Sequence, residues 1–256
     1  MITIGIDVGA ITTKAVMMKD GAVVSAKVIN TGYNAKNAGE TVLEDIISEV
    51  RIKRSSIERI VATGYGRNSV PFADKTVTEI TCHASGGRYL NPKIRSVIDI
   101  GGQDSKAIVM DEKGRVKDFA MNDKCAAGTG RFLEVMARAL EVDLDDFGKM
   151  SLGAKNPSII SSICTVFAES EIVSLISKGE KRENIIAGIH NSTSARVVAM
   201  AGRIGLTAPV MMTGGVAKNI GVVKALEKKI GHSIFVSKEA QVAGAIGAAI
   251  IAVDSI

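Results

Sequence analysis

Two short segments of the chain repeat one arrangement of carboxylate, glycine and lysine residues. Segments 7–16 and 99–108 align at a constant offset of 92 residues, and each contains Asp-x-Gly followed by a lysine. Glycine lacks a Cβ and can adopt positive φ, so the backbone N–H groups of such a turn can approach an anion closely. Two facing turns, each with a carboxylate and a lysine, could bind a polyphosphate from both sides. The pair therefore indicates a polyphosphate site.

The charged residues of the two turns suit phosphate chemistry. Lys14 and Lys106 would neutralise phosphate charge, and Asp7 or Asp104 would hold Mg²⁺, usually through water. Asp104 is also placed to orient an attacking water, so Asp104 and Asp7 are the candidate catalytic residues. The other candidate contacts in these turns are Gly9, Ala10, Ile11, Thr12, Thr13, Gly101, Gly102 and Gln103. One such turn alone would be explained as an ordinary hairpin, but the matched pair favours a ligand.

A third turn, Thr213-Gly214-Gly215, follows the apolar run 210–212 and opens a predicted helix. Backbone N–H groups at a helix N-terminus suit a nucleoside or phosphate, so Gly214, Gly215 and Lys218 are candidate contacts on the adenosine side. The sequence contains no Gly-x-x-x-x-Gly-Lys-Ser/Thr motif, which disfavours a P-loop fold. The three turns together resemble the nucleotide signature of the actin-like ATPase superfamily.

Alternating strands and helices must position these turns. Short β-type runs flank both Asp-x-Gly turns, as expected for hairpins that each open one of two similar lobes. Apolar spacing predicts further strands at 60–62 and 210–212 and helices at 39–50, 132–140, 168–176, 183–204 and 242–253. We therefore predict an α/β fold, actin-like and related to ribonuclease H, with a nucleotide cleft between lobes at 1–90 and 91–256. The final helix is expected to pack back on the first lobe.

The composition excludes several other classes of protein. The chain has 256 residues, 46% of them hydrophobic, with 26 glycines and only 4 prolines, which indicates a folded protein rather than a disordered one. The net charge of +5 comes from scattered basic residues with only 4% aromatics, so we expect no nucleic-acid surface. The longest apolar stretch, 242–253, is too short to cross a bilayer. Without a visible secretory signal, we expect a cytoplasmic location.

The three cysteines are Cys82, Cys125 and Cys164. Their odd number disfavours a disulfide framework, and one chain cannot supply the four thiolates that a [4Fe–4S] cluster usually requires. Cys125 and Cys164 are each predicted to lie just before a helix, whose N-terminal partial charge stabilises thiolates and anionic clusters. Two such cysteines from each of two identical chains would complete the set. For an isolated cysteine a buried apolar role is the ordinary alternative, and we assign that role to Cys82.

Over nearly its whole length the sequence resembles the ATP-dependent reductive activators of 2-hydroxyacyl-CoA dehydratases, which are grouped with the ATPase subunits of benzoyl-CoA reductase. The resemblance rests on segments 62–68, 98–106, 122–132, 164–171 and 212–217. It departs at Ala10 and Ile11, where relatives usually have Ser-Thr, and at Lys218, where they often have Gln. Gln241 matches a nucleotide-contacting position of the family, although a helix cap explains it equally well.

The resemblance implies a homodimer with one [4Fe–4S] cluster, held between the subunits by Cys125 and Cys164 of each chain. ATP or ADP with Mg²⁺ would occupy each cleft. Nucleotide binding and hydrolysis would change the angle between the helices that follow the cluster cysteines. A low-potential electron, received from ferredoxin or flavodoxin, would then pass to a partner iron–sulfur dehydratase or reductase.

Two other function classes remain open from the sequence. A small-molecule kinase of the same fold would transfer phosphate to a sugar or carboxylate, but the length leaves little room for a substrate-binding insertion. An actin-like assembly or scaffold protein would need no cluster. Neither alternative accounts for the two cysteines at predicted helix starts, and the sequence does not identify the partner enzyme.

Overall fold

A computed structural model describes residues 1–161 and 164–254. In chain order the first half contains β1 (Ile2–Val8), β2 (Thr12–Lys19), β3 (Ala22–Asn30), α1 (Ala35–Val50), β4 (Arg59–Thr63), β5 (Lys75–Thr76), α2 (Glu79–Leu90), β6 (Ser96–Ile100), β7 (Ser105–Met110) and β8 (Val116–Asn122). The second half contains α3 (Gly130–Ala139), α4 (Leu144–Ser151), α5 (Thr165–Ser177), α6 (Arg182–Ala201), β9 (Val210–Thr213), α7 (Ile220–Ile230), β10 (Ile234–Phe235) and α8 (Ala243–Val253). Short 3-10 turns lie at 54–56, 67–69, 215–218 and 240–242.

The strands form two mixed sheets with the same connectivity. The first sheet has the order β3-β2-β1-β4-β5 and the second has the order β10-β9-β6-β7-β8. In each sheet two successive hairpins are antiparallel, β1-β2-β3 in the first and β6-β7-β8 in the second, while β1 and β6 also pair in parallel with a later strand, β4 or β9. The β1-β2 and β6-β7 hairpins hold the two Asp-x-Gly turns. The duplicated topology therefore places the two turns at equivalent ends of two equivalent sheets.

Alternating side chains pack each sheet on both faces. On β1, Ile4 and Ile6 join a buried cluster with Val42 and Leu43 of α1, whereas Thr3, on the opposite face, donates its hydroxyl to the Ala249 carbonyl of α8 at 3.1 Å. This period of two is the expected pattern for a strand covered on both sides. In the second sheet the same alternation divides the buried residues between α2 on one face and α3, α6 and α7 on the other.

The helices α2 and α8 pack against each other between the two sheets. Small residues allow this close approach: a Cβ at Gly86 would overlap the Ala243 carbonyl, and a Cβ at Gly247 would overlap the Cys82 carbonyl. The apolar segment 242–253 is thus a buried helix, as predicted, and it packs against the first sheet although it lies at the end of the chain. None of the helices described is long and apolar enough to cross a membrane.

The predicted strands and helices are present, but several helices begin earlier than the apolar spacing indicated. The helix α1 begins at Ala35 rather than 39, because the Asn34 side chain caps it by accepting from the Asn37 N–H at 3.1 Å. The helix α5 begins at Thr165 rather than 168. Apolar periodicity marks the buried face of a helix, so it misses a polar or exposed first turn.

Candidate functional site

A cleft of about 390 Å³ lies where the two sheets present their Asp-x-Gly turns. Fifteen of the predicted nucleotide-site residues line this cleft: Asp7, Gly9, Ala10, Ile11, Thr12, Lys14, Gly101, Gly102, Gln103, Asp104, Lys106, Gly214, Gly215, Lys218 and Gln241. Thr13 is not a lining residue, because it is fully buried with its hydroxyl 2.9 Å from that of Thr31. The three turns that the sequence separates by about a hundred residues each therefore meet in one cavity.

The first turn is closed by its own backbone. The Gly9 N–H donates to the Thr12 carbonyl at 3.1 Å, and the Thr31 hydroxyl donates to the Gly9 carbonyl at 2.7 Å. Across the hairpin, Lys14 donates to the buried carboxylate of Asp7 at 3.2 Å. This arrangement places one ammonium and one carboxylate beside the backbone of a glycine turn, which suits a phosphate with its cation.

The second turn repeats this backbone bond but surrounds its lysine with more acids. The Gly101 N–H donates to the Asp104 carbonyl at 3.0 Å. The Lys106 ammonium donates to Asp104 at 2.7 Å and to Asp99 at 3.3 Å, and Glu79 lies 3.8 Å away. Burial acts to lower the pKa of Lys106, but these carboxylates outweigh it and raise the pKa well above its usual value. Lys106 is therefore a fixed positive charge in the cleft.

Four buried residues of the site were not predicted as site residues: Glu79, His83, Asp99 and Thr213. The Thr213 hydroxyl donates to Asp99 at 2.9 Å, and His83 Nδ1 lies 3.1 Å from that hydroxyl. Burial would raise the pKa of Asp99, but His83, Lys106 and Thr213 hold it at about 2. Asp99 could have been found from the sequence, because it is the repeat equivalent of Asp7.

Glu79 opens α2 and lines the cleft between the two hairpins. Burial raises the pKa of Glu79; Lys106 counteracts this, whereas Asp104 and Asp7 raise it further. Its Oε2 atom is buried and makes no hydrogen bond, although the Arg67 guanidinium lies 3.5 Å away. No local sequence signal marked this position, because the residue comes from a helix rather than from a glycine turn.

The duplication extends to a second pair of glycines beside the aspartates. Gly64 and Gly214 follow the parallel partner strands β4 and β9, and their φ angles are +88° and +85°. A Cβ at Gly64 would collide with the Asp7 carboxylate, and a Cβ at Gly214 would lie 2.8 Å from that of Asp99. Both positions need glycine for the left-handed backbone and for the close approach. Asp7 and Asp99 therefore lie against equivalent glycine turns in the two sheets.

Lys218, Asn219 and Gln241 line the cleft beside the third turn. Asn219 caps α7, because its side-chain oxygen accepts from the Val222 N–H at 3.1 Å, while its amide nitrogen lies 3.3 Å from His190 Nε2. Burial lowers the pKa of His190 to about 4, so this ring is neutral and accepts the hydrogen bond. The side chain of Asn219, which sequence reasoning missed, is therefore fixed at both ends.

The two candidate cluster cysteines differ in their surroundings. Cys164 is exposed and is the N-cap residue of α5, as predicted; its neighbours Ser162 and Ile163 lie outside the described residues. Cys125 is half-buried, but it does not directly precede a helix: α3 begins at Gly130 with Thr129 as its cap. The prediction of a helix start at Cys125 is wrong in this detail, because residues 126–129 form a turn before the helix. Cys82 is fully buried, as predicted, and burial raises its pKa to about 12.

The thiols of Cys125 and Cys164 are the candidate ligands for an iron–sulfur cluster. Both are free and at least partly accessible, and an Arg196 guanidinium nitrogen lies 3.7 Å from the Cys125 sulfur. Among the described residues no group of three metal-binding side chains exists within one chain, so any cluster held here would need thiolates from a second chain. The donor set is thus compatible with a shared iron–sulfur group.

The strand order of the two sheets and the cleft between them define a nucleotide-binding protein of the actin-like fold. A family model described as the BadF/BadG/BcrA/BcrD ATPase family matches residues 4–252. The chain belongs to this family. This result confirms the fold class, the family and the ATPase activity expected from the sequence.

Individual relatives are similar over nearly their full length. The chain is 48% identical to the activator of lactoyl-CoA dehydratase of Anaerotignum propionicum, over 100% of this chain and 98% of the relative. It is 45% identical to the (R)-2-hydroxyglutaryl-CoA dehydratase activating ATPase of Acidaminococcus fermentans, over 98% and 96%. A solved structure of the activator of the 2-hydroxyisocaproyl-CoA dehydratase from Clostridium difficile, with bound ADPNP, superposes with a TM-score of 0.95 at 44% identity, covering 100% of this chain and 95% of that one.

Proposed function

We propose that this ATPase is an electron-transfer activator: it couples ATP hydrolysis to delivery of a low-potential electron to an iron–sulfur dehydratase or reductase. The observation that carries the proposal is a direct link between the nucleotide turn and the cysteine loop. The N–H groups of Gly130 and Arg131, at the start of α3, donate to the carbonyls of Gly101 and Gly102 at 2.8 Å each. Cys125 lies only five residues before Gly130.

In the nucleotide cleft, the two hairpins would clamp the phosphates from opposite sides. Lys14 and Lys106 would neutralise phosphate charge, and the turn N–H groups would donate to phosphate oxygens. Asp7 and Asp104 offer carboxylate oxygens for Mg²⁺, the type of ligand this ion prefers. Asp104 would orient the attacking water, because it is the least buried of the acids that contact Lys106.

In the loop linked to the second turn and at the start of α5, Cys125 and Cys164 would hold one [4Fe–4S] cluster together with the same residues of a second chain. Such a cluster, when bound, stores and passes on a single electron. The exposed apolar side chains of Val166, Phe167 and Val173 on α5 support a contact with a second chain beside Cys164, because they are 66%, 67% and 56% exposed. The proposed assembly is therefore a homodimer.

Coupling between the two sites would use the rigid elements that join them. A shift of the second phosphate turn on hydrolysis moves the start of α3, since two backbone hydrogen bonds connect them. The helix α3 packs against α5, whose first residue follows Cys164. Packed helices transmit such shifts as whole units.

The partner is proposed from the relatives, which are named as activators of lactoyl-CoA and 2-hydroxyglutaryl-CoA dehydratases and as a subunit of benzoyl-CoA reductase. A 2-hydroxyacyl-CoA dehydratase is the proposed partner, because the more similar relatives are named as activators of such enzymes. Ferredoxin or flavodoxin would supply the electron, and the protein would work in the cytoplasm. The kinase alternative is less well supported, since the more similar relatives are named as activators and a kinase gives no role to the two accessible thiols.

The proposal is tested by iron analysis of anaerobically purified protein. We expect brown protein with about two irons per chain, because four irons are shared by two chains, and an EPR signal on reduction. Cys125→Ser and Cys164→Ser should each lose iron while retaining ATP binding. Cys82→Ala, a buried cysteine outside the site, is the matched control and should keep its iron.

Two results would contradict the proposal. Colourless protein after iron–sulfur reconstitution would leave an ATPase without a redox group. A normal [4Fe–4S] signal in either cysteine variant would show that the cluster is not held between two chains by these residues.

A further inference from the structure

Arg196 on α6 reaches the sulfur of Cys125. Its Nη2 atom donates to the Cys125 sulfur at 3.7 Å, and both side chains are partly buried. The loop that carries Cys125 lies directly on this part of α6: at Gly128, whose φ is +87°, a Cβ would be only 3.6 Å from the Cβ of Arg196. The contact therefore belongs to the packing of the loop on the helix.

Internal hydrogen bonds fix the shape of this loop. The Asn122 side-chain amide donates to the carbonyls of Cys125 at 2.8 Å and Ala127 at 3.3 Å, and the Thr129 hydroxyl donates to the Ala126 carbonyl at 2.6 Å. Within the described part of the chain, Arg196 forms no ion pair with a carboxylate. The guanidinium thus keeps its full charge for the thiol rather than sharing it with an acid.

We infer that Arg196 is a positioning residue that donates a charge-assisted hydrogen bond to the Cys125 thiolate and stabilises the reduced state of the cluster group. This inference rests on the proposed function, since it assigns Cys125 to a shared [4Fe–4S] site. Hydrogen bonds to ligand sulfurs and nearby positive charge set the potential of such sites, because reduction adds negative charge. In a homodimer the single shared cluster would receive this contact twice, once from each chain.

The two thiols of one chain are therefore inequivalent. Among the described residues Cys164 has no corresponding guanidinium contact; it is exposed and relies on its position as the N-cap of α5. The loop of Cys125 is also the one that is hydrogen-bonded to the second phosphate turn through Gly130. Arg196 thus acts on the thiolate next to the nucleotide site, where a change in the loop would alter the contact.

The first test measures the midpoint potential of the reconstituted cluster by redox titration followed by EPR. Arg196→Gln should shift the midpoint to a more negative potential, and Arg196→Lys should restore part of the shift by restoring the charge. Arg182→Gln is the matched control: it removes the same charge from the same helix about 21 Å away, at a residue that is mostly exposed. Its midpoint should equal that of the wild type.

The second test uses the cluster-free full-length chain and does not depend on iron. Cys125 and Cys164 are alkylated with iodoacetate or iodoacetamide, and the product at each cysteine is quantified by mass spectrometry. The rate with iodoacetate divided by the rate with iodoacetamide reports the local positive charge, because only iodoacetate is an anion. The thiolate fraction affects both rates equally and cancels in this ratio. Arg196→Gln should lower this ratio several-fold at Cys125 and leave it unchanged at Cys164, the internal control.

The outcomes separate this inference from the proposed function. An unchanged alkylation ratio at Cys125 in Arg196→Gln overturns the contact, whatever the iron content. A lowered ratio in a protein that never binds iron supports the contact but rejects the cluster, and with it the redox role. A lowered ratio with an unshifted midpoint overturns the redox role of Arg196 alone.

Discussion

The two phosphate hairpins share one backbone plan but hold their lysines differently. In each, the glycine N–H donates to the carbonyl three residues later, Gly9 to Thr12 and Gly101 to Asp104. In the first hairpin Lys14 pairs with Asp7. In the second, Lys106 is buried among three carboxylates, two of which have no acidic equivalent in the first hairpin.

This difference shows where the site is preorganised. A buried network of opposite charges cannot rearrange cheaply, so its donors and acceptors are already oriented when the nucleotide binds. We therefore expect the second hairpin to act in catalysis and the first mainly to bind the phosphates. A turn that binds through backbone N–H groups tolerates change in its side chains, so Ala10 and Ile11 are compatible with this role.

The largest expected difference between the hairpins follows removal of their lysines. Lys106→Met leaves the buried carboxylates of Asp99 and Glu79 without the Lys106 ammonium and should lower the free energy of unfolding by about 3–5 kcal/mol. Lys14→Met removes one partly buried pair and should cost about 2 kcal/mol or less. Urea unfolding of both variants measures the difference. Equal losses of stability in the two variants would mean that Asp104 and Glu79 add nothing to the stability that the Lys106–Asp99 pair provides.

Catalysis should show the same asymmetry. Asp104→Asn keeps the shape of the side chain but removes the carboxylate, so we expect ATP hydrolysis about 100-fold slower with a much smaller change in ATP affinity. Thr12→Ala changes the equivalent position of the first hairpin, 92 residues earlier, and should mainly weaken ATP binding. Single-turnover hydrolysis and nucleotide titration separate the two effects. An unchanged rate in Asp104→Asn would remove this residue from the catalytic role.

The buried acid of the second hairpin should also make stability depend on acid pH. The pKa of Asp99 falls from its ordinary 3.8 to about 2 in the folded chain. The unfolded chain therefore binds more protons, and the contribution of Asp99, about 2 kcal/mol, is complete above pH 4 and is lost as the pH falls through 2. Asp99→Asn should flatten the dependence of the free energy of unfolding between pH 4 and pH 2. A slope identical to that of the wild type would contradict the ionised state of Asp99.

Much of this site could be predicted from the sequence, because a glycine turn and its neighbours are local. The repeat at an offset of 92 residues marked both hairpins, and apolar periodicity marked the helices that cover them. Glu79 and His83 could not be found in this way. They reach the cleft from α2 only because that helix packs between the sheets, so their role depends on tertiary structure.

Two further features lie between these extremes. The equivalence of Gly64 and Gly214 was hidden because it appears only when β4 and β9 are aligned as parallel partners of β1 and β6. The turn of four residues between Cys125 and α3 was overlooked, although Gly128, whose φ is +87°, and Thr129, the N-cap residue of α3, mark its end in the sequence. For the two glycines the missing information is the pairing of distant segments.

The smallest expected effect concerns the contact between the two turns. A Cβ at Gly102 would collide with the side chain of Ile11, so the bare glycine of the second turn accommodates the branched residue of the first. Gly102→Ala should lower the free energy of unfolding by about 1 kcal/mol through overpacking and raise the KM for ATP.

Ile11→Ala removes the Cγ1 atom that a Cβ at residue 102 would overlap, and it should relieve most of that clash in the double variant, although the Cβ of residue 11 stays 2.9 Å away. A double-mutant cycle measured by thermal unfolding would then give a coupling energy of about 1 kcal/mol. Additive effects would mean that the turns do not touch in solution. Coupling would instead show that the two hairpins meet through Ile11, so that the branched residue of the first turn has a complementary partner in Gly102 across the cleft.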